Sequence, residues 1–223
     1  MTNGISVKKR NGRGVEPLDL EKIHTMVEEA CKDVTGVSAS QVEIQSGIQF
    51  YDGISTAEIQ DILIKSASDL ITLDNPNYQF VAARLLLFAT RKSLYGRSRD
   101  LPPLEDHIMN CTNIDVYDKD IFGKYSKEEI AKADSFIDHE RDFLFTYAGL
   151  RQVVDKYLVQ DRSTGKVYET PQFMYMMIAL TIFSNYPKET RLDYVQRYYN
   201  AISRHKLNIP TPIMAGVRTP IRQ

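Results

Sequence analysis

Helix-start signals recur along this chain so often that little but a mainly α fold can accommodate them. Ser55 with Glu58, and Ser126 with Glu129, have the spacing at which an N-cap hydroxyl and the carboxylate three residues on satisfy each other's backbone donors. Ser38 with Gln41 repeats it. Asn75-Pro76 and Thr170-Pro171 put proline in a first turn, where its missing N–H is no loss. Apolar residues at helical period follow each signal. They are Val42, Ile48 and Phe50; then Ile59, Ile62, Leu63 and Leu70, with Ser66 on the same face; then Tyr78, Val81, Ala82, Leu85, Leu86 and Ala89. Farther on come Ile130, Ala133, Phe136 and Ile137, and then Phe173, Met176, Met177 and Leu180. Pro187 separates these from a last helix with Leu192, Val195, Tyr198, Ala201 and Ile202. Near the start, Asp19 is an N-cap for a helix burying Leu20, Ile23, Met26, Val27, Ala30 and Cys31, with Gly36 marking its end.

Strands are few. ISVKKR (5–10) and VEPLDL (15–20) flank Asn11-Gly12-Arg13-Gly14, a turn suited to positive φ, which predicts a hairpin. KYLVQ (156–160) and KVYE (166–169) bracket Asp161–Gly165 as a second hairpin. Asn208 to Ala215 reads as a strand that Pro210 and Pro212 confine to an edge, one that needs partners from elsewhere. The expectation is therefore that the chain is one part of a larger active unit. GRSRDLPPL (96–104) has linker composition and divides the chain into domains at 1–95 and 96–223.

Composition narrows the chemistry. A net charge of −1 over 223 residues gives no global field for nucleic acid or an anionic membrane, so neither is expected as a partner. The two cysteines, Cys31 and Cys111, and the four histidines have no metal-ligand spacing, so no metal site is expected. No apolar run is long enough to span a bilayer, and a reducing, cytoplasmic setting is expected. No GxSxG-type nucleophile turn occurs, and DHERD (138–142) reads as a helix end or connecting turn.

Two places can hold an anion. Lys8, Lys9, Arg10 and Arg13 crowd the first hairpin and Lys22 sits one turn into the next helix. Strand alternation sends Lys8 and Arg10 to one face and Lys9 to the other. Turn glycines and a helix N-terminus suit phosphate, and Glu16 and Asp19 can accept from an amino group or a ribose hydroxyl. Arg91-Lys92 can return to the same surface in an antiparallel bundle. The residues alone leave a second reading open, a solvated edge guarded by lysines. At the other end, Thr211 holds a hydroxyl on stiff backbone between two prolines, suited either to a substrate phosphate or to an ordinary structural role.

Three segments, VKKRNG–VEPLDLEKI (7–23), GIQFYDGISTAEIQDILIKSASDLI (47–71) and YQFVAARLLLFATRKSLYG (78–96), together resemble an ATP-cone. Residues 138–192 and NIPTPIMAGVRTPIRQ resemble the helical region and first barrel strand of the class I ribonucleotide reductase large subunit, most of all its bacterial and bacteriophage branch. The resemblance spans essentially the whole chain. It implies a β-hairpin lid on a four-helix cone bundle, then a second, mostly helical domain with a small hairpin and a terminal strand belonging to an α/β barrel.

The resemblance also implies roles. Lys9 and Lys92 match positions on effector phosphates, with Arg10 adjacent and Thr56 adding a hydroxyl. Glu16, Pro17, Leu18, Asp19, Leu20, Glu21 and Lys22 match the stretch around base and ribose, and Val7, Ile23 and Phe50 its apolar wall. ATP or dATP, with Mg²⁺, is the implied effector, acting by changing how large and small subunits assemble. Thr211 matches a contact to the diphosphate of the ribonucleoside diphosphate substrate. The implied partners are a C-terminal piece of the large subunit and the small, radical-bearing subunit. The family's redox and radical cysteines are absent, and Cys31 and Cys111 match none of them, so the chain alone is expected to be inactive. The hairpin turn is one residue longer than is usual in the family. Asp19 stands where asparagine is frequent, Gln60 where histidine is, and Ile221 where threonine is usual. The competing expectation is a non-catalytic nucleotide-binding regulatory module, or a scaffold that has lost its effector response.

Overall fold

The computed structural model describes residues 4–9 and 14–221. In chain order its elements are β1 (Ser6–Lys8), β2 (Val15–Pro17), α1 (Leu20–Cys31), α2 (Ala39–Gly47), β3 (Ile54–Ser55), α3 (Thr56–Asp69) and α4 (Tyr78–Tyr95). Then come α5 (Leu104–Asn113), α6 (Ile121–Lys124), α7 (Lys127–Asp134), α8 (Tyr147–Gln152), α9 (Pro171–Phe183), α10 (Arg191–Ile202) and α11 (Thr211–Gly216). The chain divides into two compact units, Met1–Ala89 with Phe145–Arg151, and Thr90–Leu144 with Gln152–Gln223. Among the described residues no helix is long and apolar enough to cross a membrane.

In the first unit the hairpin pairs β1 with β2, Val7 facing Glu16 and Lys8 facing Val15. A third strand, β3, lies parallel to β1 on its other side and has no counterpart in the sequence reading. Asp52 secures it, taking hydrogen bonds from the Ser6 N–H at 2.8 Å and the Ser6 hydroxyl at 2.5 Å. Asp19 caps α1, accepting from the Lys22 N–H. The far end of α1 falls at Cys31, ahead of Gly36, and Arg84 of α4 covers the open carbonyls of Ala30 and Lys32. The Ser55–Glu58 capping box is formed in full. The one expected at Ser38–Gln41 is not. There the Tyr78 hydroxyl accepts from the Ser38 N–H and donates to the Gln41 side chain, so a buried tyrosine replaces the local reciprocal bond. Ile48, expected on a buried face, is 82% exposed, because α2 has already ended at Gly47. Val27, Ala30, Val42, Ile54, Leu63, Ala67, Val81 and Ala82 form the core.

The second unit is organised around α9, where Pro171 through Leu180 are all buried. Such a helix has no wet face and must be enclosed on every side. The Tyr125 hydroxyl donates to the Leu180 carbonyl, and Phe173 stacks on His107 with ring centres 4.2 Å apart. The Ser126–Glu129 capping box is present, and Arg191 of α10 forks onto the same Glu129 carboxylate at 2.7 and 2.6 Å.

Two expectations fail here. KYLVQ does not form a strand: Val153–Tyr157 is a π-turn extending α8, and the hairpin keeps a single bridge, Gln160 to Val167. The donors a ladder needs are diverted, Leu158 N–H to the Val153 carbonyl and Val159 N–H to the Glu169 carboxylate. Asn208–Ala215 is not a strand either. Residues 208–210 have no regular structure and α11 follows, with Pro212 in its first turn, where proline suits a helix as well as it suits a strand edge.

Candidate effector site and the second-unit cleft

Alternation along β1 puts Val7 and Lys9 on one face of the small sheet, and Glu16, paired with Val7, shares that face. Val7 is 3% exposed, so this face is covered, and Lys9 with Glu16 lies at its rim. The Lys9 N–H closes the hairpin onto the Gly14 carbonyl, and its ammonium meets the Glu16 carboxylate at 2.7 Å. That contact holds the Glu16 carboxyl below its ordinary pKa. Arg10 and Arg13 lie outside the described residues. On the opposite face, the end of the Lys8 side chain runs beside Gly53, whose φ of +80° only glycine adopts without strain.

The chain leaves β2 through Pro17 and Leu18, whose N–H bonds the Ile5 carbonyl, and enters α1 at Asp19. Asp19 is doubly engaged: it caps the helix and pairs with Lys22 at 3.0 Å, which lowers its own pKa and raises that of the lysine. Leu20 and Glu21 are exposed, Ile23 is buried and Phe50 is half-buried. Parallel pairing of Lys8 with Ser55 sets Thr56, the first residue of α3, at the Lys9 end of β1. Beside it, Glu58 takes the Ser55 N–H and the Tyr51 hydroxyl, and these bonds hold its carboxyl at about 2. Sequence reasoning found Glu58 as a capping residue but missed it, with Asp52 and Tyr51, as the frame of this rim.

The first unit thus contains Val7, Lys9, Glu16, Pro17, Leu18, Asp19, Leu20, Glu21, Lys22, Ile23, Phe50 and Thr56. Lys92 is exposed in the last turn of α4, beyond Ala89, where the unit ends. Its neighbour Arg91 does not return to a basic surface. It is 3% exposed and donates to Asp142 at 2.9 Å and to the His139 carbonyl at 2.8 Å, while Gln172 donates to the other Asp142 oxygen. A partner 51 residues away made that pairing invisible to local reading.

In the second unit, Thr211 is exposed on the rim of a cleft of about 970 Å³. The 211–221 segment forms one wall, and Lys156, Leu158, Val159, Arg162 and Tyr168 form the other. Among the described residues, no three His, Cys, Asp or Glu side chains are grouped to hold a metal ion.

The stretch that holds this small sheet, its helices and the half-exposed lysines and carboxylates at its rim has a known class: residues 5–93 match the ATP cone domain. Residues 143–222 match the ribonucleotide reductase all-alpha domain. The whole chain is 48% identical to ribonucleoside-diphosphate reductase 1 subunit alpha of Escherichia coli and 49% identical to the alpha subunit of Haemophilus influenzae, covering 29% of each. It is 43% identical over 221 residues to the alpha subunit of Enterobacteria phage T4, covering 28% of it. The chain thus carries stretches that match both domains, aligns with these alpha subunits along its whole length, and spans about 29% of theirs.

Proposed function

We propose that the first unit binds ATP or dATP as an allosteric effector and that the chain serves ribonucleoside-diphosphate reduction as the N-terminal part of a large subunit. The observation that carries this reading is the Lys9–Glu16 pair at the rim of the covered Val7 face, within the stretch that matches the ATP cone. Lys9, Arg10 and Lys92 would take the phosphates and their Mg²⁺, with Thr56 adding a hydroxyl. Residues 16–22 would enclose base and ribose against Val7, Ile23 and Phe50. The effector domain is assigned to 1–95 and the helical domain to 96–223, where Thr211 would meet the substrate diphosphate. Reduction itself needs the remaining large-subunit sequence and the small radical-bearing subunit, and a cytoplasmic setting suits that chemistry.

Calorimetric titration with ATP and dATP tests the effector role. Binding that Lys9→Ala abolishes supports it. Absence of binding at millimolar nucleotide refutes it and leaves the scaffold reading. Adding the remaining large-subunit sequence and the small subunit should restore nucleotide reduction; no association between the pieces would count against the assembly.

A further inference from the structure

A buried side-chain cluster of the second unit adjoins the cleft through Val159 and has no part in the proposed effector site. Glu169 is 0% exposed and Arg218 is 1% exposed. The carboxylate accepts from Arg218 through Nε and Nη2, from the Tyr117 hydroxyl, and from the Val159 N–H at 2.6 Å. The rest of the guanidinium reaches two backbone carbonyls, Met214 in α11 at 2.6 Å and Tyr157, which stands between the wall residues Lys156 and Leu158, at 2.9 Å. The Arg218 carbonyl accepts in turn from the Asp118 N–H at 3.0 Å. One buried ion pair therefore ties three backbone segments: α11 and its exit, the chain leaving the π-turn, and the chain leaving α5.

A pair of this kind carries a large desolvation penalty and is a poor source of net stability, whereas removing one partner strands a buried charge. Its value lies in geometry, because the planar fork of arginine satisfies all its donors in one arrangement. We propose that Arg218, acting through Glu169, is a positioning residue. It latches the 211–219 segment against the wall of the cleft, fixing the width of the cleft and the place of Thr211. The latch itself stands on the geometry; its bearing on substrate rests on the reading of Thr211 given above.

Amide hydrogen exchange on the full chain tests the latch, with R218M, E169Q, R218K and the double variant R218M/E169Q. In each of the first two, the amides of Asp118, Val159 and Thr219 should exchange about 100-fold faster while Tyr199 and Ser203 of the α10 region keep wild-type protection. R218K should recover part of the loss. The double variant should exchange roughly tenfold more slowly than either single one, since no charge is stranded and the introduced carboxamide can donate to a carbonyl that Arg218 vacates. Wild-type exchange in the single variants, or equal acceleration at Tyr199, would overturn the latch. Should the single variants fail to fold, recovery in the double variant supports the pair and its failure refutes a local latch. In enzyme assembled with the remaining subunit sequence and the small subunit, R218M should raise KM for the ribonucleoside diphosphate roughly tenfold with little change in kcat. Loosened exchange with KM unchanged would uphold the latch and remove Thr211 from the substrate site.

Discussion

Acidification should destabilise the second unit through His107, and the effect can be sized. His107 is 2% exposed, stacked on Phe173, and held between two phenols. Tyr117 donates to the Glu169 carboxylate, so its oxygen is left to accept from His107 Nε2–H at 3.0 Å. His107 Nδ1 then faces the Tyr95 hydroxyl at 3.3 Å, and Cys111 lies 3.9 Å from the ring. The imidazole is neutral in a fixed tautomer. Burial pushes its pKa down to about 4, the pull of Glu169 notwithstanding and with Arg218 adding to the depression. In the unfolded chain the same group titrates near 6.5. Between these values the unfolded state binds the extra proton, so stability is lost as pH falls from 6.5 to 4, and no further loss from this group occurs below 4. A displacement of that size corresponds to about 3 kcal/mol. With a urea m-value of roughly 1–3 kcal/mol per molar, the midpoint should fall by about 1–3 M across the window. His139, also pushed down to about 4 by burial, adds a parallel contribution, so the informative measurement is a difference. Urea titrations at pH 7, 6, 5 and 4 on the wild type and on H107F, which keeps the stack on Phe173, isolate it. The variant should show the shallower dependence. Parallel curves would refute the assignment of a buried neutral imidazole.

Other outcomes follow from the same geometry. D19A removes the α1 cap and should lower stability by about 1 kcal/mol, whereas D19N keeps the cap, melts near the wild type and, with one negative charge fewer, should bind ATP more tightly by calorimetry. R91M strands Asp142 in the core and should destabilise by about 3–5 kcal/mol, of which R91M/D142L should recover most, read by denaturant unfolding. K9A removes a half-exposed cation and should leave the melt within about 0.5 kcal/mol of wild type while weakening ATP binding at least ~10-fold. L63A, at a fully buried site in α3, should cost about 2–5 kcal/mol in the same assay.

The parts of this fold that were legible in the sequence are those whose determinants lie within a few residues. Ser55–Glu58 and Ser126–Glu129 form capping boxes because both partners sit on the same first turn, and Asp19 caps α1 for the same reason. Ser38–Gln41 has the same local chemistry, but Tyr78, 37 residues from Gln41, competes for both groups and wins. KYLVQ and the Asn208–Ala215 segment were misread alike: each fits a strand locally, and the buried Glu169–Arg218 pair, which takes up the Val159 N–H and the Tyr157 and Met214 carbonyls, accompanies a different backbone. In the effector site the hairpin charges and the capping aspartate could be read from pattern. Lys92 was reachable through the antiparallel-bundle argument, Thr56 and Phe50 came only from resemblance, and β3 was too short to leave any period at all.

Because α9 is dry on every side, its companions cannot be dispensed with. They come from both directions along the chain: Tyr95, His107 and Tyr125 precede it, and α10 follows. A fragment cut to residues 143–222 would lack the earlier half of that jacket. It would present Phe173 and the methionines beside it to water, and self-association would be its natural fate. The stretch that marks the family is thus narrower than the piece of chain able to stand alone.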